Sequence, residues 1–242
     1  MNTGASPLTQ PVRHHPASFW QRSVAWSIDA VLVAPLSGWL AWPWILAPAQ
    51  AWIEQVRKLL QYIGQTMGEA ILASASLPQL AIALLHDPDL EVAVAAVRTA
   101  TWAMAWPALL AFALTGLLYH VAFERSPWQA SPGKRLLALH VADREGRRPG
   151  IRRAVSRYLA GALSWATLNL GHLMALAGPD HQALHDRVSG TAVVRNGGSR
   201  TTLPHWARVW LALLMLAAAG ATFRLADAAA ATLRTALEHA LF

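Results

Sequence analysis

Two stretches of this chain are long and apolar enough to cross a lipid bilayer, and this narrows the accessible folds more than any motif does. A hydrocarbon core about 30 Å thick takes roughly 20 mostly apolar helical residues. Residues 24–47 meet that requirement with one charged residue, Asp29, near the start. Residues 99–123 meet it with no Asp, Glu, Lys or Arg at all, between Arg98 on one side and Glu124 and Arg125 on the other. Pro35, Pro43 and Pro107 fall inside these stretches. Prolines are tolerated in membrane helices where neighbouring helices or hydroxyl groups satisfy the freed carbonyls, so they point to helices packed in a bundle.

Composition agrees: 55% of the 242 residues are hydrophobic and 14% are charged, an apolar excess over ordinary soluble domains. The twelve tryptophans suit the headgroup level, where a largely apolar ring keeps a polar edge in water. There is no cysteine, which excludes disulfides and thiolate metal sites. The opening "MNTGASPLTQPVRHHPA" lacks the basic, apolar and small-residue succession of a signal peptide, and residues 1–17 read as a disordered cytoplasmic arm.

The remainder divides by pattern. Residues 18–48 hold the first span. Residues 49–98 read as an extracytoplasmic insertion: an amphipathic helix with Ile53, Val56, Leu59, Leu60 and Ile63 on one face, then an apolar run too short to span. Residues 124–157 carry nine of the chain's basic residues, and loops rich in Lys and Arg are retained in the cytoplasm. That places the loop and, one span pair earlier, the N-terminus inside. Residues 197–242 comprise a further membrane helix over 206–223 and an amphipathic tail along the interface.

Two short segments, "RLLALHVAD" and "GTAVVRNGG", are strand-like, and neither is stable alone, so they are expected to pair as a small two-stranded ribbon. Between them, residues 158–178 are long enough to cross once but carry Asn169, Gly171 and His172 near the middle. A single crossing would put the two strands on opposite sides of the membrane; a hairpin that enters and returns would let them meet.

The charges inside the apolar frame carry the chemistry. Arg22 and Asp29 are seven residues apart, nearly two helical turns, and share a face with about 10 Å between them. An arginine near the boundary can reach headgroups, whereas an aspartate about 15 Å along a lipid-embedded helix needs a cation, a proton, water or hydrogen-bond donors. Asp186 in "HQALHDRVSGT" supplies a second acid, beside His185 and Arg187. His181 and His185, four apart, could share a helix face, but no third ligand accompanies them, and no metal site is expected. "SPGKRLL" lacks the first glycine and the following Ser or Thr of a phosphate-binding loop; Pro132 and Gly133 set a turn that presents Lys134 and Arg135 to headgroups or to Asp186. Nothing in the spacing suggests an enzyme, a cofactor or a nucleic-acid surface.

These residues resemble the RDD family of bacterial membrane proteins, named for one arginine and two aspartates. The match rests on "FWQRSVAWSID" with Arg22 and Asp29, on "SPGKRLLALHVADREG" with Gly133 and Lys134, on Arg157 in "RAVSRYL", and on "QALHDRVSGTAVV" with His185, Asp186, Gly190 and Thr191. Asp186 is taken as the second named aspartate, with Asp143 the alternative. The resemblance covers residues 18–48 and 99–196. It implies a multi-pass protein of the bacterial inner membrane that transports a small ligand or exchanges a cation for a proton. The expectation is therefore an all-α, polytopic helical membrane protein with a small cytoplasmic-side β-ribbon, in which Arg22, Asp29 and Asp186 form an ion or ligand site supported by Lys134 and Arg157. A homo-oligomer would be needed to enclose a path; the alternative is a non-catalytic scaffold or subunit of a membrane complex.

Overall fold

The computed structural model describes residues 15–177, 181–195 and 202–241. The first fourteen residues of the N-terminal arm lie outside them. In chain order the elements are β1 (His15–Pro16), α1 (Phe19–Leu72), α2 (Leu77–Leu85), α3 (Pro88–Arg125), α4 (Pro132–Leu136), β2 (Leu139–Asp143), α5 (Ile151–Ala166), α6 (Leu170–Leu173) with a 3-10 turn over Met174–Leu176, α7 (Leu184–Ser189), β3 (Thr191–Arg195) and α8 (His205–Leu241). The protein is a polytopic helical membrane protein with a small antiparallel sheet.

Among the described residues, three helices, α1, α3 and α8, are long and apolar enough to cross a membrane. Only 17%, 6% and 0% of their most apolar windows is buried by the protein itself. Apolar surface left bare over that length would be costly in water, so lipid is the solvent that these helices fit. All three run on further than the sequence pattern suggests, α3 starting at Pro88 within the expected insertion. The first span and the amphipathic segment after it form one 54-residue helix, about 80 Å long at 1.5 Å per residue and far longer than a hydrocarbon core. Pro48 removes a single backbone bond, and the Ala, Gln, Leu and Lys residues that follow carry the helix on. The last span and its tail are likewise one 37-residue helix.

The described chain divides into two compact units. One comprises Val33–Thr115 with α8 from Arg208 onward, and is all helical. Within it, Trp52 Nε1 donates to Thr101 Oγ1 at 2.9 Å, tying α1 to α3. Asp87 stands directly before α3 and caps it, accepting the N–H groups of Asp89 (2.9 Å) and Leu90 (3.3 Å), with Pro88 at the first helical position and the Tyr62 hydroxyl on its other oxygen. Gly64 and Gly68 of α1 face Ala236 and Ala240 of α8: a Cβ at either glycine would stand 2.5 or 2.4 Å from the opposing Ala Cβ. Small residues four apart let two helix backbones approach closely.

The other unit runs to Leu32 and from Gly116 to Ala207, and contains the sheet. Its order is β1-β3-β2, all antiparallel, with Leu139 opposite Arg195 and Asp143 opposite Thr191. The expected ribbon is thus present and gains a third strand, His15 pairing with Arg195 at the start of the described chain. Every residue of β2 is buried, and its outer edge is closed by Val141 N–H donating to the Gln129 carbonyl at 2.7 Å. Leu139, Val24, Val141 and Val193 are the largest fully buried apolar side chains here, each contributing about 1.5–3 kcal/mol by burial. Between the paired strands β2 and β3, α5 and α6 meet at a 113° bend, so residues 151–176 do not run straight. Gly171 sits inside this bend, where an added Cβ would lie 2.2 Å from Ser164 Oγ.

The α1–α8 contact gives a direct test. Gly68→Leu is expected to destabilise the detergent-solubilised protein by about 1–3 kcal/mol through overpacking, read as a lower unfolding midpoint, with partial recovery in Gly68→Leu/Ala240→Gly.

Candidate functional site

Two clusters of buried polar side chains stand out in the sheet-bearing unit among the described residues. The first is built on Asp186. This residue lies in the first turn of α7, where a carboxylate is favoured by the helix dipole, and its Oδ2 accepts the Ala183 N–H at 2.9 Å. Gly190 then ends α7 in the left-handed conformation (φ 63°), which turns the chain directly into β3. Each Asp186 oxygen also takes a guanidinium: Arg22 Nη1 from α1 on Oδ2 and Arg157 Nη1 from α5 on Oδ1. The same Arg157 nitrogen donates to Thr191 Oγ1 at 3.0 Å, and Thr191 shares a 2.7 Å hydrogen bond with Ser189. Arg22 Nε donates to the Ala17 carbonyl at 3.1 Å. One carboxylate, wholly buried, therefore fastens α1, α5, α7 and the start of β3.

Glu124 extends this group. It is 3% exposed at the end of α3, and its Oε1 meets Lys134 Nζ at 2.6 Å and Arg157 Nε at 3.5 Å. The network thus sets three cations against two carboxylates. His185 stands beside it, Nε2 3.6 Å from Asp186 Oδ1, with its ring 5.1 Å from that of His172. The Nδ1 atoms of both histidines and Nη2 of Arg22 are buried with no hydrogen-bond partner among the described residues.

The second group is built on Asp29, which is 1% exposed. Its Oδ1 accepts the Tyr119 hydroxyl and the Gly133 N–H, both at 2.8 Å, and its Oδ2 accepts the Ser131 hydroxyl. These three donors are neutral, and no cation pairs with Asp29 among the described residues. The geometry explains the "SPGK" turn. Ser131 is the N-cap of α4 yet makes no side-chain capping bond to its own helix, and Pro132 fills the first position, where no N–H is needed. Asp29, from another helix, takes the Gly133 N–H instead. Glycine is required at 133 because a Cβ would lie 2.1 Å from the Ala25 carbonyl oxygen and 2.9 Å from Asp29 Oδ1.

The structure therefore brings Arg22, Arg157 and Asp186 together, with His185 and Thr191 against them, and Gly190 shaping the turn. It places Asp29 apart with Gly133, and it pairs Lys134 with Glu124 rather than with Asp186. His181 lies before α7, so it does not share a helix face with His185. Asp143 is engaged locally, its Oδ1 accepting the N–H groups of Glu145 and Arg147 and its Oδ2 meeting Arg153 at 3.0 Å. Sequence reading did not assign Glu124, Tyr119, Ser131 or His172 to the site. Glu124 and Tyr119 are legible in retrospect as polar groups at the end of the apolar stretch of α3.

Electrostatics fix the charge states at α7. Burial favours the neutral acid at Asp186, but Arg157 and Arg22 outweigh it and hold the carboxyl well below the usual carboxylate range. Burial pushes His185 well below the ordinary histidine range, reinforced by the charge of Arg157. Asp186 is thus ionised and His185 neutral near neutral pH.

Three comparisons with known proteins bear on this arrangement. The family model described as the RDD family matches residues 16–190. The uncharacterized protein YxaI of Bacillus subtilis (strain 168) is 31% identical over 88 residues, which are 36% of this chain and 58% of that relative. No solved structure matches.

Two outcomes are expected. Asp186→Asn, which strips two buried guanidinia of their counter-charge, is expected to cost about 3–5 kcal/mol in the detergent-solubilised protein, measured by chemical or thermal unfolding. A histidine whose folded pKa is depressed binds its proton more readily when unfolded, so stability is lost as pH falls below about 6.5. His185→Gln should flatten that loss between pH 7 and 5, read as a smaller shift of the unfolding midpoint.

Proposed function

Since the chain belongs to the RDD family, we propose that it moves a small ligand or exchanges a cation for a proton across a bacterial inner membrane, with Asp29 as the coupling carboxylate. One observation carries this reading: Asp29 is fully buried, is held by three neutral donors and has no cationic partner among the described residues. A carboxylate so placed acquires a counter-charge by taking up a proton or a cation, which is the elementary event of coupled transport. Tyr119 and Ser131 supply hydroxyl oxygens at the same spot. Arg22, Arg157 and Asp186 hold the surrounding elements in register, and Lys134 with Glu124 fixes the end of α3 against α4.

The charge distribution supports an orientation with the N-terminus in the cytoplasm. The basic loop after α3, with its sheet, would then lie inside, with α5 and α6 entering the membrane from that side and returning. The chain spans 58% of the curated relative that it matches, so that protein's whole activity does not transfer.

A second reading has its own observation. Asp29 caps α4 from a different helix, which is what a purely structural aspartate in a membrane scaffold would do. Asparagine separates the two, because it keeps a carbonyl acceptor and caps helices about as well as aspartate but cannot ionise. In everted vesicles Asp29→Asn is expected to abolish cation-dependent proton movement at unchanged protein level. Undiminished flux, or a loss of protein and of co-purifying partners without a transport change, would favour the scaffold.

A further inference from the structure

The arginines that the buried network does not use form a site of their own. Arg125, Arg148 and Arg152 are exposed, and none has an acidic partner among the described residues. Arg148 Nη1 donates to the Arg125 carbonyl at 3.2 Å, which fixes the loop before α5 against the last residue of α3. Their neighbours Arg147 and Arg153 are paired, Arg147 with Glu145 at 3.0 Å and Arg153 with Asp143 at 3.0 Å. Arg147, Arg148, Arg152 and Arg153, with Gly150 and Ile151, line a shallow cavity of about 540 Å³ whose one acid, Asp143, is already satisfied. Arg152 and Arg153 also occupy the first turn of α5, where the helix dipole favours anions and no acidic residue is present.

Ile151 lines the same cavity, and Trp128 follows Arg125 by three residues in the chain. Ile151 is 52% exposed and Trp128 48%, and the Arg135 guanidinium lies 4.5 Å from the centre of the Trp128 ring. Guanidinium groups without counter-ions, beside exposed aromatic and aliphatic surface at the end of a membrane helix, match the chemistry of a lipid: a phosphodiester anion above an acyl-glycerol body. Positive charge alone would suit a soluble phosphate, but exposed Ile151 and Trp128 would not. We infer that Arg125, Arg148 and Arg152 bind the headgroup of an anionic phospholipid at the membrane surface, so that the sheet-bearing unit is held down on the bilayer by charge.

This inference rests on the protein being embedded in a membrane and not on the role of Asp29, so the transport experiment and the following one fail independently. The full-length protein, purified in mild detergent, is titrated with phosphatidylglycerol or phosphatidylcholine, and bound lipid is counted by native mass spectrometry. Phosphatidylglycerol should bind tighter, and raising salt should weaken it selectively. Arg148→Gln/Arg152→Gln should lower its affinity roughly 30-fold, the effect of two arginines at about 1 kcal/mol each, and leave phosphatidylcholine unchanged. Arg57→Gln/Arg224→Gln, which removes two arginines outside the patch, should leave the preference intact. Equal affinity of the wild-type protein for the two lipids, or an unaltered preference in Arg148→Gln/Arg152→Gln, would overturn the inference. Displacement of the lipid by an equal concentration of glycerol phosphate would overturn it too, in favour of a soluble phosphate ester. The wild-type comparison stands whether or not the variants fold.

Discussion

The sheet-bearing unit depends on one carboxylate shared by two guanidinium groups. Asp186 receives Arg22 from α1 and Arg157 from α5, and at the same time caps the short helix that carries it. Replacing a buried ion pair with apolar residues is often neutral or stabilising, so its value here is not net stability. Its value is register. The two arginines come from helices far apart in sequence, and α7 has six residues and little apolar surface with which to fix its own place. Arg157 also reaches Thr191 and Glu124, so the network tells β3 where to start and the end of α3 where to lie. With β3 placed, β2 and β1 pair on its two sides, and the bend between α5 and α6 lies on the connection that brings β3 back beside β2.

Asp29 obeys a different rule. An aspartate within an apolar helix suggests a partner of opposite charge, and Arg22 shares its face but lies about 10 Å away, too far for a direct bond unless its side chain reaches down. The fold gives Arg22 to Asp186 and satisfies Asp29 with a backbone N–H and two hydroxyls. Hydrogen bonds from neutral donors stabilise a carboxylate without cancelling its charge. The two acids therefore differ in kind: Asp186 is locked into ion pairs, whereas Asp29 meets only neutral donors among the described residues. The second arrangement is the one on which the proposed transport rests, since it leaves a place for a cation or proton beside the carboxylate.

The span-length helices were legible because twenty apolar residues admit few other folds, and β2 and β3 because alternating character beside turn residues is a local signal. The lengths of α1 and α8 were not, since a change from apolar to amphipathic sequence marks a change of solvent and not a break in the helix. The same limit applies to the site. Arg22, Asp29, Arg157 and Asp186 stood out because charges in or beside apolar segments are costly, but which acid takes which base depends on the packing of elements more than a hundred residues apart. Gly133 shows the point most clearly. As part of a turn it is unremarkable, and its real constraint, the approach of the Ala25 carbonyl and the Asp29 carboxylate, comes from a helix that precedes it by a hundred residues.

The separation of the two acids is the claim from which the rest follows, and a double-mutant cycle in the detergent-solubilised protein measures it directly. Residues with no shared partner contribute additively to stability, whereas partners in one network couple by about 0.5–3 kcal/mol. Asp29→Asn combined with Asp186→Asn should show a coupling below about 0.5 kcal/mol, while Arg157→Gln with Asp186→Asn should couple strongly. A large coupling between Asp29 and Asp186 would mean that the two carboxylates belong to one ionic network, and would contradict the account.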